Sequence, residues 1–228
     1  MSASKKEFYT GAGLMAGFLV VLVILFLPLF DGKNALDALD SLYNTISKGS
    51  AYYIPKLKKD AETYVGKDIA VNITMSDENA AKETEQLFTK SGAAVTVSGA
   101  NLSVNGDIGK ILVNCLDDSD EMFHNQGEKI KAKYNCEERK VMLNWWNALK
   151  SMDKDLKKQE KFAEAKPIHM VMKKGVECSY NYYKVNPQNI SDRWAIVLFS
   201  LVFYVVYTIW YGFAIMFMFE GSGFKLEH

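Results

Sequence analysis

Neither sign of charge prevails in this chain: 27 lysines and arginines stand against 27 aspartates and glutamates. A protein that neutralises nucleic-acid phosphates needs a basic excess or stripe, so nucleic acid is excluded as an expected partner. Histidine and cysteine are scarce, three of each. His228 falls in a terminal stretch, Lys225, Leu226, Glu227 and His228, that reads as a cloning scar with a truncated histidine tag. Cys115, Cys136 and Cys178 lack the paired spacing of a zinc site, and His124 does not complete one. In an oxidising compartment two of the three cysteines can join, leaving one thiol over, and spacing does not choose the pair. Three buried reduced thiols are the competing reading. Also missing are a nucleophile elbow, a phosphate-cradling loop, a dinucleotide fingerprint and a His-Glu-x-x-His helix. Enzyme activity is therefore unsupported by any motif, although a constellation can assemble from distant residues, and no cofactor is expected.

Long hydrophobic runs, by contrast, are present at both ends. Residues 8–30 and 194–219 carry no charge, and each is long enough for a helix to cross the ~30 Å hydrocarbon layer. The first is preceded by Lys5 and Lys6, is too long for a signal peptide and is followed by no small-x-small cleavage site, so it reads as an uncleaved anchor. The positive-inside rule then assigns residues 1–7 and 220–228 to the cytoplasm and residues 31–193 to the far side, although Lys33 and Arg193 oppose it.

Both runs carry signs of helix packing. Gly13 and Gly17, with Ala12 and Ala16, give the first a small-residue face. In the second, Ser200, Tyr204, Tyr207, Thr208 and Tyr211 place hydroxyls along one stripe, where lipid would leave them without partners. That stripe predicts contact with another helix.

The intervening residues predict an α+β domain. Leu36, Leu39, Tyr43 and Ile46 mark an amphipathic helix over 34–47, and Lys56, Lys58 and Lys59 lie on a second short helix or against headgroups. Ile69, Val71, Ile73 and Met75 alternate as a half-buried strand; Ser76 caps a helix that Gly92 ends. Residues 95–97 and 102–104 form a hairpin around Gly99 and Ala100, and a helix carrying Ile108, Ile111, Leu112 and Leu116 follows. A long helix over 137–166 ends at Pro167. Residues 168–172 and 176–185 complete a mixed sheet of about four or five strands. Sequons at Asn72 and Asn101 fall in expected strands.

Two ligand candidates arise in this domain. His169, Met170 and Met172 have copper-compatible chemistry, but strand alternation sends them to opposite faces. Asp117, Asp118, Asp120 and Glu121 lack the spacing of a calcium loop and read as a solvated helix face.

Together these features predict a two-span accessory or scaffolding subunit that touches the lipid bilayer and acts through its outer domain and helix packing, as a homo-oligomer or with another membrane protein. A homo-oligomeric channel lined by Ser200, Thr208 and the tyrosines, with Glu220 at one mouth, is the alternative. A ligand or metal binder on the outer face is a third.

Overall fold

Alternating apolar residues build a small sheet and helical spacing builds the rest, as a computed structural model shows for residues 3–223. The tag-like tail at 225–228 and the first two residues lie outside the described residues. Two compact units result: one joins residues up to 49 with those from 187 onward, and the other comprises residues 50–186.

The first unit is helical. It contains α1 (Ala3–Phe26), α2 (Ala35–Ser50) and α10 (Ile190–Gly221). Both α1 and α10 are long and apolar enough to cross a membrane. At 1.5 Å per residue they extend about 36 and 48 Å, so α10 exceeds the hydrocarbon thickness by several turns.

The second unit holds α3 (Ile54–Glu62), β1 (Asp68–Thr74), α4 (Glu78–Lys90), β2 (Ala94–Ser98), β3 (Asn101–Asp107), α5 (Ile108–Phe123), α6 (Gly127–Tyr134), α7 (Glu138–Lys158), α8 (Phe162–Val171) and α9 (Cys178–Tyr182). The sheet is antiparallel in the order β1-β3-β2, with Val71 opposite Val104 and Val95 opposite Val104 on its other side. Ile69, Val71 and Ile73 are buried, and Leu87, Phe88, Ile111, Leu112, Trp145 and Leu149 cover them in one core. Asp77, rather than Ser76, caps α4: its Oδ1 accepts the Ala80 N–H at 2.8 Å while Ser76 donates to Oδ2.

The free edge of β1 is closed by side chains of α7. Thr74 N–H donates to Ser151 Oγ at 3.1 Å, Asn72 N–H donates to Asp155 Oδ2 at 2.9 Å, and Gln159 Nε2 donates to the Ala70 carbonyl at 3.0 Å. The match is metrical. Four helical residues rise about 6.0 Å and two strand residues about 6.6 Å, so positions 151, 155 and 159 meet 74, 72 and 70 in turn. An edge that would otherwise invite another strand is thereby satisfied.

Two expectations need correction. Among the described residues the sheet has three strands, not four or five, because residues 168–182 are helical: α8 passes through a π-helical turn, Met172–Glu177, into α9. Ile168, Val171, Met172, Gly175, Val176, Ser179 and Tyr183 are the buried positions, and spacings of three, one, three, one, three and four follow the helical period rather than strand alternation. The long helix also ends early, at Lys158, while Pro167 sits inside α8. Glu160 takes a left-handed conformation (φ 61°), Glu160 N–H donates to the Lys157 carbonyl, and Lys161 N–H to that of Leu156. This is a Schellman stop without its usual glycine.

Candidate functional site

Heptad-like spacing organises the pairing of α1 with α10. Along α10 between Leu198 and Ala214 the less exposed positions are Ser200, Phe203, Tyr207, Trp210 and Ala214, separated by three and four residues in alternation, the period of a left-handed helix pair. The helices run antiparallel. A Cβ on Gly11 would lie 2.6 Å from the Met218 backbone nitrogen and 2.8 Å from the Ala214 carbonyl oxygen, so only glycine permits this approach. Trp210 Nε1 donates to the Leu14 carbonyl at 3.0 Å, and Tyr207 OH donates to that of Phe18 at 3.3 Å. The Phe18 and Tyr207 rings stack with centroids 4.3 Å apart. At the other end, Tyr43 on α2 and Ser200 share a hydrogen bond of 2.6 Å between hydroxyls.

The sequence-predicted positions divide between two faces. Gly17 lies beneath the Trp210 ring, whereas a Cβ on Gly13 would meet nothing within 4 Å. Two residues on a helix turn about 200°, so Gly11 in the seam sends Gly13 outward. Ser200 and Tyr207 belong to the seam. Tyr204 (69 % exposed) stands on the neighbouring face with Thr208, and Tyr211 (44 %) at the seam's margin with its ring centroid 5.0 Å from that of Phe18, since each follows a seam residue by about 100°. Thr208 Oγ1 donates back to the Tyr204 carbonyl at 2.7 Å. Neither the Tyr204 nor the Tyr211 hydroxyl has a hydrogen-bond partner among the described residues. Trp210 and Gly11 escaped the sequence reading, although the 200, 203, 207, 210, 214 spacing was available to reveal the seam.

In the second unit, the acidic cluster is a solvated face only in part: Asp117 is exposed and Asp120 and Glu121 half-buried, whereas Asp118 is buried. Asp118 is 2 % exposed. Its Oδ2 accepts Tyr134 OH at 2.6 Å and Trp145 Nε1 at 2.8 Å, and its Oδ1 accepts Lys133 Nζ at 2.7 Å. Lys133 also donates to Asn114 Oδ1, whose amide nitrogen reaches Ser91 Oγ and the Leu87 carbonyl. Burial pushes the Asp118 carboxyl up, and Lys133, Tyr134 and Trp145 only partly offset it. The sequence held a signal: Ile111, Cys115, Asp118 and Met122 occupy one helical stripe. The neighbouring carboxylates are spoken for separately, Asp117 and Asp120 by Lys58 and Glu121 by Lys129. Asp120 also accepts Tyr52 OH at 2.7 Å, and burial together with that bond raises the Tyr52 phenol to about 12.

No three His, Cys, Asp or Glu side chains among the described residues converge as a metal site. His169 is exposed, Met170 half-buried and Met172 buried; on a helix Met170 points about 100° from His169, while Met172 falls about 60° from it. Cys115, Cys136 and Cys178 are not joined in a disulfide, and the Cys178 thiol donates to the Ala51 carbonyl at 3.3 Å. Cys115 is fully buried, which raises its thiol well above the ordinary value and leaves it a poor nucleophile. Compared with protein-family models, curated proteins and solved structures, the chain matches none.

Proposed function

We propose that this chain is a two-span membrane subunit whose α1–α10 pair associates laterally with a further membrane helix, scaffolding an assembly in which residues 50–186 form the extracytoplasmic domain. One observation carries the reading: Tyr204 presents on the exposed face of α10 a hydroxyl that has no partner among the described residues. It lies ten residues from Trp194 and fifteen from Phe219, about 15 and 22 Å from the ends of the apolar stretch and beyond the reach of headgroup water. A phenol at that depth gains from a hydrogen bond across a helix interface. Phe199 (68 % exposed) and Trp194 (63 %) stand exposed on the same helix. Lys5 and Lys6 orient both termini toward the cytoplasm under the positive-inside rule.

The test replaces Tyr204 by Phe, which keeps the ring and removes only the hydroxyl. Interhelical hydrogen bonds in membranes contribute about 0.6 kcal/mol on average and up to about 1.7, so association should weaken about three- to fifteenfold. Förster transfer between labelled chains in bilayers, and crosslinking to neighbours in the native membrane, read this out. Undiminished association of Tyr204→Phe and of Tyr204→Ala would remove the exposed face of α10 from the interface.

A further inference from the structure

Beside the closed edge of β1 lies a polar groove of about 450 Å³, whose walls are Asn72, Thr74 and Ser76 on one side and Asn147, Ser151 and the lysines of α7 on the other. Lys150, Lys154 and Lys158 stand along it at four-residue spacing, a row of three ammonium groups about 12 Å long. Like charges four residues apart destabilise a helix. Elsewhere on α7 such a cost is avoided, since Lys140 pairs with Glu83 and Lys157 with Asp153. None of the three groove lysines has an ion pair among the described residues, and Lys150 only overlies the Trp146 ring at 4.7 Å. The facing wall is neutral. Asp155 is the one acid in the groove, and its Oδ2 already accepts both Asn72 N–H and Gln159 Nε2. The side-chain amides of Asn72 and Asn147 have no partner among the described residues and add uncharged donors.

Three lysines without an ion pair, against a single carboxylate that leaves the groove net positive, together with free amide donors and a concave floor form the complement of an anion with several charged groups. Lysine binds phosphate and carboxylate oxygens as a point charge without demanding a planar fork. The volume falls within the range of small-molecule sites. We propose that this groove binds a small soluble polyanion carrying several phosphate or carboxylate groups, an activity beyond the lateral association proposed above and independent of it.

The probes are sodium tripolyphosphate and citrate, titrated calorimetrically into the full chain in non-ionic micelles, with sodium chloride at matched ionic strength as the reference. One-to-one saturable binding of at least one probe is expected, weakened about tenfold or more in the triple variant Lys150→Gln, Lys154→Gln, Lys158→Gln. A triple variant at Lys59, Lys110 and Lys131 loses the same charge elsewhere and should bind as the parent does. In the parent, the bound probe should slow amide exchange over residues 72–76 and 147–158, a readout that holds even if the first variant unfolds. The probe that binds assigns phosphate or carboxylate. Absence of binding by both, equal loss in the two triple variants, or protection confined to other segments overturns the proposal.

Discussion

Single atoms decide two closely packed places in this protein. At Gly11, any side chain collides with the α10 backbone. Gly11→Val should destabilise the helix pair by about 1–3 kcal/mol, while Gly13→Val, in open space, should leave it unchanged; thermal unfolding in micelles followed by circular dichroism separates them. Asp118 poses a different question, because its charge is buried. Desolvation raises its folded-state pKa above the unfolded value, so the folded chain holds a proton that the unfolded chain has released. The stability it contributes is complete below the ordinary carboxylate range and is lost as pH rises through the folded value. Asparagine does not titrate. The cost of Asp118→Asn, about 1–3 kcal/mol where donors lose their acceptor, should therefore be greatest near pH 4 and shrink toward neutrality. Urea unfolding midpoints at pH 4 and 7 measure the difference. Asp107 behaves oppositely: burial raises it, but the Gly66 and Lys110 backbone N–H groups outweigh that and hold it low. Its contribution persists above the unfolded value and disappears as pH falls.

At the scale of elements, α7 is both a core helix and the cap of a sheet edge. Asp155→Ala would leave the Asn72 N–H without its acceptor and cost about 1 kcal/mol. Amide exchange at Asn72 and Thr74 should accelerate while the β1–β3 pairing persists. Unchanged exchange at both would mean that water replaces the clamp without loss. Elements governed by local spacing were legible in the sequence. Alternation at Ile69, Val71 and Ile73 predicts β1, and Gly99 at a positive φ makes the hairpin that joins β2 to β3. The stop at Glu160 was illegible because a glutamate adopts the conformation usually left to glycine. Residues 168–185 misled for a related reason: a short apolar run reads as strand or buried helix alike, and tertiary burial of Ile168, Val176 and Ser179 settled it. The membrane helices were legible in length, but their seam was not. Hydroxyl positions at 200, 204, 207, 208 and 211 looked like one stripe, whereas close packing at Gly11 and Trp210 draws the seam through 200, 207 and 214.

For the whole molecule, the proposed role joins two units with different needs. Residues 50–186 bury their own core and satisfy their own sheet edge. The pair α1–α10 is tied together on one face, while Tyr204, Phe199 and Trp194 remain exposed on α10. Two helices cannot cover an aromatic span on every side, and under the proposal a third would supply both packing and a partner for the Tyr204 hydroxyl. The most direct test of this claim is the mass of the complex released from its native membrane in a mild non-ionic detergent. A mass corresponding to several chains, or to this chain with another membrane protein, is expected, shifting toward the single chain in Tyr204→Ala. A single chain with no crosslinked neighbour in the membrane would contradict the account.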